Sequence, residues 1–140
     1  MNRVSFHNNI KWLAVACGVL MMSACATVVS PEIKIEDRVN ARWKALLSDD
    51  LAGAYEFLSP GFRSGVTSVQ YQRSLLLKKV RWISADYLSN ECGEDTCNVK
   101  VSLGYKLYGV LPGVKSFEGK QTTEESWVKA DGQWYYVPEQ

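Results

Sequence analysis

The sequence predicts an α+β domain, with helices in its first half and an antiparallel sheet in its second half. From residue 35 to about residue 79, apolar side chains recur at intervals of three and four, the spacing of one helix face. From Val80 onward they alternate with polar side chains, the spacing of a half-buried strand. Helices followed by consecutive strands are typical of α+β folds. A chain of 140 residues has room for one such domain.

Three helices are predicted before the period changes. The apolar positions of the first are Ile35, Val39, Trp43, Leu46 and Leu47. Asp49 and Asp50 can cap a second, shorter helix, which Ser59-Pro60-Gly61 is expected to stop. A third helix is predicted to begin at Thr67, because Thr67 and Gln70 have the spacing of a capping box.

The strands follow from the alternating segments. Residues 80–91 are predicted to form one strand and residues 97–107 a longer strand with one buried face, in which Gly104 indicates a bulge or bend. Residues 108–120 contain Pro and Gly and are expected to form a loop. A last hairpin is predicted to turn at Asp131-Gly132, since Asp-Gly between two apolar strands is a strong hairpin signal.

The first 24 residues have the features of a secretory signal peptide. Arg3 and Lys11 give a positive start, and the apolar run 12–22 is too short to span a bilayer. Met22-Ser23-Ala24-Cys25 then resembles the bacterial lipobox. The resemblance implies cleavage before Cys25, a diacylglycerol thioether on its sulfur and a further acyl chain, such as palmitate, on its new amine. Two or more acyl chains anchor a protein stably in a bilayer.

Two other outcomes are open for this segment. Ala24-Cys25-Ala26 also fits the cleavage site of an ordinary secreted protein, and the apolar run could remain as an uncleaved anchor. For a lipoprotein from a cell with two membranes, Ala26 in place of Asp implies the outer membrane, facing the periplasm. We therefore expect a lipoprotein signal peptide over residues 1–24, a lipidated cysteine and tether over 25–34, and the folded domain over 35–140.

Two cysteines remain in the predicted domain. Cys92 and Cys97 are expected to form a disulfide across a polar turn, because an even pair in an oxidising compartment is most simply a disulfide. A redox motif has two intervening residues rather than four. The only histidine, His7, lies in the predicted signal peptide. The sequence therefore indicates no metal site and no cofactor.

Three segments of the domain resemble the nuclear transport factor 2-like (NTF2-like, SnoaL-like) superfamily. They are the helical Arg42-Trp43-Lys44-Ala45-Leu46 followed by Asp50 and Tyr55, the Ser59-Pro60-Gly61-Phe62-Arg63 segment, and the ending 127–135. The resemblance covers about residues 35–138. It implies a cone-shaped, cystatin-like α+β roll in which a strongly bent antiparallel sheet wraps around the N-terminal helices and leaves a conical pocket. The superfamily includes isomerases, dehydratases, polyketide cyclases and non-catalytic modules, so the fold does not fix the function.

Candidate catalytic residues follow from the expected strand register. Without a histidine in the mature chain, the Asp–His pair usual in this fold is excluded. If Cys92 faces Cys97, Asp86 pairs with Leu103 and points into the cone beside Tyr105. A buried carboxyl group there could act as a general acid or base. Alternatively, a bulge near Gly104 or Ala85 turns Asp86 outward, or Asp86 accepts hydrogen bonds from backbone amides.

Candidate ligand-binding residues are aromatic, because aromatic walls are common in small-molecule sites. They are Tyr55, Trp82, Tyr105 and Trp127, together with Arg63 as a cation at the cone mouth. Alternatively, the aromatic residues form only the core, and Arg63 is a solvated or ion-paired loop residue. Glu124 and Glu125 are expected on a solvated strand edge.

The charge balance excludes one class of partner. Arg3 and Lys11 are the only charged residues before Cys25, and the remaining chain is close to neutral, so no field attracts nucleic acid. The first hypothesis is a non-catalytic envelope module that binds a small apolar ligand or a protein partner. The alternatives are an isomerase or dehydratase using Asp86 and a tyrosine, and a structural homodimer formed through the outer face of the sheet.

Overall fold

A computed structural model describes residues 33–111 and 113–139. It contains an α+β domain with helices first and one antiparallel sheet after them, in the strand order β1-β2-β3-β4. The elements are α1 (Ile35–Leu47), α2 (Leu51–Tyr55), α3 (Pro60–Gly65), α4 (Ser68–Leu76), β1 (Val80–Cys92), β2 (Thr96–Leu111), β3 (Val114–Ala130) and β4 (Gln133–Val137). The predicted fold class is confirmed. The predicted signal peptide, Cys25 and the tether up to residue 32 lie outside the described residues.

Helix α1 occupies the segment with the clearest helical period. Its predicted stripe of Ile35, Val39, Trp43 and Leu46 is buried, and acidic residues occupy its first turn. The same stripe contains one residue that is not apolar, Arg42, which is also buried. Helix α1 therefore carries a cation into the interior of the domain.

The segment around Pro60 differs from the prediction. Helix α2 already ends at Tyr55, and Pro60 begins α3 instead of breaking a helix, since Pro fits the first helical position and Ser59 accepts a hydrogen bond from the Phe62 amide. The next helix, α4, begins as predicted with a reciprocal capping box between Thr67 and Gln70.

Strands β2 and β3 form one long hairpin. The prediction of a loop over residues 108–120 is wrong, because β2 continues to Leu111 and β3 starts at Val114. The cross-strand register continues through Leu107 and Phe117, and the glycine at position 113 takes a positive φ of 78° at the turn. The predicted Asp131-Gly132 turn is confirmed, with φ values of 50° and 74° at its two residues.

Two register shifts bend strand β1 against β2. Cys92 pairs with Cys97 and is joined to it by a disulfide, as expected. The pairing then slips between Tyr87 and Ser89 and again between Trp82 and Ser84, opposite Gly104. Counted from Cys92 back toward Val80, each bulge displaces the pairing of the remaining β1 residues by one position. The register predicted from the disulfide alone is therefore wrong beyond the first bulge.

The core lies between α1 and the inner face of the sheet. The inner face of β2 contributes Val99, Val101 and Leu103, and Trp127 of β3 is almost fully buried below them. The helices and strands that form this core all lie within one compact unit, Pro31–Gln140. Within the described part of the chain, none of the helices has both the length and the apolar character needed to cross a membrane.

The outer face of β2 and β3 carries cross-strand ion pairs. Lys100 lies 3.5 Å from Glu124, and Lys106 lies 2.8 Å from Glu118, in two cross-strand ion pairs on β2 and β3. Burying such pairs in a subunit interface would cost desolvation energy. The arrangement disfavours the flat apolar outer face that the homodimer hypothesis needs.

Candidate functional site

A cavity of about 430 Å³ opens between α1, α4 and the inner face of the sheet. This volume falls within the range of small-molecule sites. Its aromatic wall residues are Trp43, Phe62, Tyr71, Trp82 and Tyr136. A few neutral polar side chains, including Ser74, Gln121 and Thr123, also line it. The charged side chains of Lys78 and Glu139 line it as well, so the cavity combines aromatic walls with several polar and charged groups.

A buried carboxylate, Glu125, forms the floor of the cavity. One of its oxygens accepts hydrogen bonds from Arg42 Nη1 at 2.8 Å and from the Trp43 indole nitrogen at 2.9 Å. The other accepts from the Trp127 indole nitrogen at 3.1 Å. Glu125 is only 3% exposed and Arg42 only 5%. A buried ion pair of this kind is stable only when such additional hydrogen bonds satisfy it.

Periodicity explains why these side chains meet. Arg42 lies three residues after Val39 on the buried stripe of α1. Glu125 lies two residues before Trp127, so both point to the inner face of β3. Helix α1 crosses this face, and the cation therefore lies opposite the carboxylate.

Two tyrosines complete the floor. The guanidinium of Arg42 lies 3.7 Å from the ring centroid of Tyr136, and its hydrogen bond to Tyr71 favours the phenolate form of that residue. Burial nevertheless raises the pKa of both Tyr71 and Tyr136, and the Glu125 carboxylate contributes in the same direction. Both phenols are therefore neutral at physiological pH.

Three of the predicted ligand-binding residues lie apart from the cavity. The Tyr55 hydroxyl donates to the Val66 carbonyl at 2.8 Å, and Arg63 forms an ion pair with Glu56 at 2.7 Å. The Tyr105 ring packs over Gly119, where an added Cβ would lie 2.7 Å from the phenol oxygen. These residues support the walls of the domain from outside the cavity.

The other two predicted residues contribute to the site. Trp82 lines the cavity, and its ring meets that of Trp43 edge-on, with centroids 5.6 Å apart. Trp127 lies below the floor and holds Glu125 through its indole nitrogen. Trp82 is thus a wall residue, and Trp127 positions the carboxylate.

The predicted catalytic pair is not formed. The bulge between Tyr87 and Ser89 places Asp86 opposite Ser102, on the exposed outer face, and the second bulge brings Trp82 opposite Tyr105. Asp86 therefore points outward, as in the alternative, but the bulge that turns it lies at Leu88 and not near Gly104. Among the described residues, no group of three or more His, Cys, Asp or Glu side chains could hold a metal ion.

The most important site residue, Glu125, was assigned wrongly from sequence. Glu124 is exposed beside Lys100, as expected of a strand edge, but Glu125 points inward. Two sequence patterns indicate its burial. Glu125 is two residues from Trp127 on the same strand face, and Arg42 occupies a position of the apolar stripe of α1. A cation and an anion that are buried on facing elements pair with each other, as Arg42 and Glu125 do.

Comparisons with known proteins identify the fold alone. No family model and no curated protein matches the chain. A SEC-C motif containing protein from Rhodopseudomonas palustris is similar in structure, with a TM-score of 0.58, 15% identity and coverage of 74% of this chain and 75% of that one. A second SEC-C motif containing protein, from Psychrobacter arcticus, has a TM-score of 0.55, 10% identity and coverage of 76% and 60%.

The same fold occurs in a protein described as NTF2-like. This candidate dehydratase of the NTF2-like family from Streptomyces avermitilis matches with a TM-score of 0.50, 11% identity and coverage of 76% of this chain and 94% of that one. The likeness agrees with the curved sheet packed on N-terminal helices. The domain therefore has an NTF2-like fold, and its function has to be argued from the site.

Proposed function

We propose that this protein is a lipid-anchored cell-envelope protein whose cone binds a small, largely apolar ligand without catalysing a reaction. The observation that carries the proposal is the 430 Å³ cavity with aromatic walls and a floor whose charges are already paired. Because Lys78 and Glu139 also line it, such a cavity favours a ligand with a flat apolar body and several polar groups.

The floor supports binding rather than catalysis. A general acid or base must exchange a proton with its substrate, and so it needs a free edge. Glu125 instead accepts hydrogen bonds from three donors of the protein, Arg42, Trp43 and Trp127. Asp86, the carboxylate on which the isomerase or dehydratase hypothesis depended, lies outside the cavity. Both features favour a fixed wall for a bound molecule.

The anchoring part of the proposal depends on the sequence. The lipobox-like segment ends at Cys25, and α1 begins ten positions later, at Ile35. Fully extended, a tether of this length spans about 35 Å. Such a tether would keep the cavity within one domain diameter of the membrane.

Native mass spectrometry of the mature protein, purified from its own host, tests ligand binding. The wild type is expected to retain a small molecule, and Gln121→Trp is expected to lose it, because residue 121 lines the cavity. Thr122→Trp is the matched control: it lies next along β3 on the exposed outer face and should keep the ligand. A wild type without a bound molecule, or equal retention in both variants, would overturn the proposal.

A separate measurement tests the anchor. The mature protein is expected to have a mass that includes acyl chains and to sediment with membranes, and Cys25→Ala should remove both properties. An unacylated mature protein that starts elsewhere would refute the anchor and leave the ligand experiment unaffected.

A further inference from the structure

The outward face of α4 is apolar and uncovered by the described part of the chain. Val69, Leu76 and Leu77 are 74%, 74% and 73% exposed. Positions 69, 73 and 76 follow helical spacing, so they form one stripe, while Tyr71 and Leu75 on the other side line the cavity. Leu76 and Leu77 are neighbours and Val69 lies two turns away on the same side of the helix, and aliphatic side chains at this exposure indicate an external contact.

Basic residues lie within and beside this stripe. Arg73 lies within it, Lys78 and Lys79 follow it directly, and residues 66–85 contain no acidic residue. Leu76, Lys78 and Lys79 also line a surface groove of about 250 Å³. The nearby Asp49 is paired with Arg81 at 2.9 Å. The face therefore combines exposed aliphatic groups with an excess of positive charge.

We propose that this face, formed by Val69, Arg73, Leu76, Leu77, Lys78 and Lys79 and here named the α4 face, docks on the surface of an anionic lipid bilayer. Aliphatic side chains on a basic helix face enter the boundary between headgroups and acyl chains, and each cation adds attraction to anionic lipid. A second copy of the chain is a poorer occupant, because two α4 faces would bring like charges together.

Docking would orient the cavity. Helix α4 lies between the α4 face and the cavity, and Lys78 lines both the cavity and the groove. A bilayer in contact with the α4 face would lie against the helix whose other side lines the cavity. This inference goes beyond the proposed function, because it requires neither a cone ligand nor an acyl chain.

Co-sedimentation of residues 31–140 with lipid vesicles tests the inference without the acyl anchor. The segment is expected to bind vesicles that contain phosphatidylglycerol and not vesicles of phosphatidylcholine alone. Binding should weaken as salt rises, because counterions screen the exposed charges. Lys78→Gln/Lys79→Gln should reduce partitioning by about tenfold or more. Lys100→Gln/Lys120→Gln removes the same charge from the outer face of the sheet and should change partitioning less than about twofold.

A second pair of substitutions separates apolar contact from charge. Leu76→Ser/Leu77→Ser keeps every cation and should still weaken binding by about tenfold, with an unchanged thermal midpoint. Equal binding to both vesicle types, or equal losses in the two lysine pairs, would overturn the inference. So would a doubled native mass that the leucine substitutions abolish, since the face would then bind a second copy. Cone-ligand retention and Cys25 acylation are measured separately, so their failure cannot be confused with this result.

Discussion

The floor of the cavity and the α4 face break the ordinary pattern of burial in opposite directions. At the floor, the charged residues Arg42 and Glu125 are buried, and at the α4 face Leu76 and Leu77 are exposed. The carboxylate of the first exception is satisfied inside the protein by a guanidinium and two indole donors, although Arg42 Nε has no hydrogen-bond partner among the described residues. The leucines of the second stay about three-quarters exposed in the described part of the chain. A buried charge that finds its counter-charge within the domain has a structural role. Leucines that stay exposed to solvent instead indicate contact with a partner outside the chain.

The largest expected effect comes from removing the carboxylate at the floor. Glu125→Ala leaves the buried Arg42 cation without its counter-charge and two buried indole N–H groups without an acceptor, and should lower the free energy of unfolding by about 3–5 kcal/mol. Urea denaturation measures this loss. Glu124→Ala is the control, because its ion pair with Lys100 is largely exposed and contributes at most about 1 kcal/mol. Similar losses in the two variants would contradict the structural role of the floor.

Replacing both Arg42 and Glu125 should lower the free energy of unfolding less than replacing Glu125 alone. In Arg42→Met/Glu125→Leu, the buried charge disappears along with its partner, and side chains of similar length fill the space. We expect the double variant to be about 2 kcal/mol or more above Glu125→Ala in the free energy of unfolding. If urea denaturation shows the double variant to be as unstable as Glu125→Ala, Arg42 stabilises the fold through contacts other than its ion pair with Glu125.

The fold was predictable wherever one local signal dominated. The helical period of α1, the capping box at Thr67 and the Asp131-Gly132 turn each specify a local geometry, and all three appear in the structure. The bulges in β1 leave no such signal. They depend on how a strand bends around α1, so a register counted from the Cys92–Cys97 disulfide slipped before it reached Asp86.

The site was less predictable for a related reason. Glu125 was treated by residue type, and a charged residue on a strand is usually solvated. Its burial depends on Arg42, which lies 83 positions away in the sequence. Trp82 was identified because an aromatic residue is a plausible wall in almost any packing. The burial of an ion pair can be predicted only after the positions of both elements, here α1 and β3, are known.

A smaller effect is expected from the phenol that hydrogen-bonds to Arg42. Burial raises the pKa of Tyr71, so its contribution is present below the ordinary tyrosine pKa of about 10 and is lost as the pH rises above that value. Tyr71→Phe should cost about 1 kcal/mol at pH 7 through the lost hydrogen bond. The difference from the wild type should narrow above about pH 10. Urea denaturation from pH 7 to 11 would contradict this prediction if the two curves stayed parallel.

The smallest effect is expected at the α4 face. Leu76→Ser/Leu77→Ser removes two aliphatic side chains that are already about three-quarters exposed, so the free energy of unfolding should change by less than about 0.5 kcal/mol for each substitution. Leu75→Ser is the matched control on the same helix, because this half-buried leucine packs against the core and should cost more than about 1 kcal/mol. Urea denaturation compares the two. If the exposed pair proved as costly as Leu75, these leucines would stabilise the domain itself, and their exposure would no longer indicate a membrane contact.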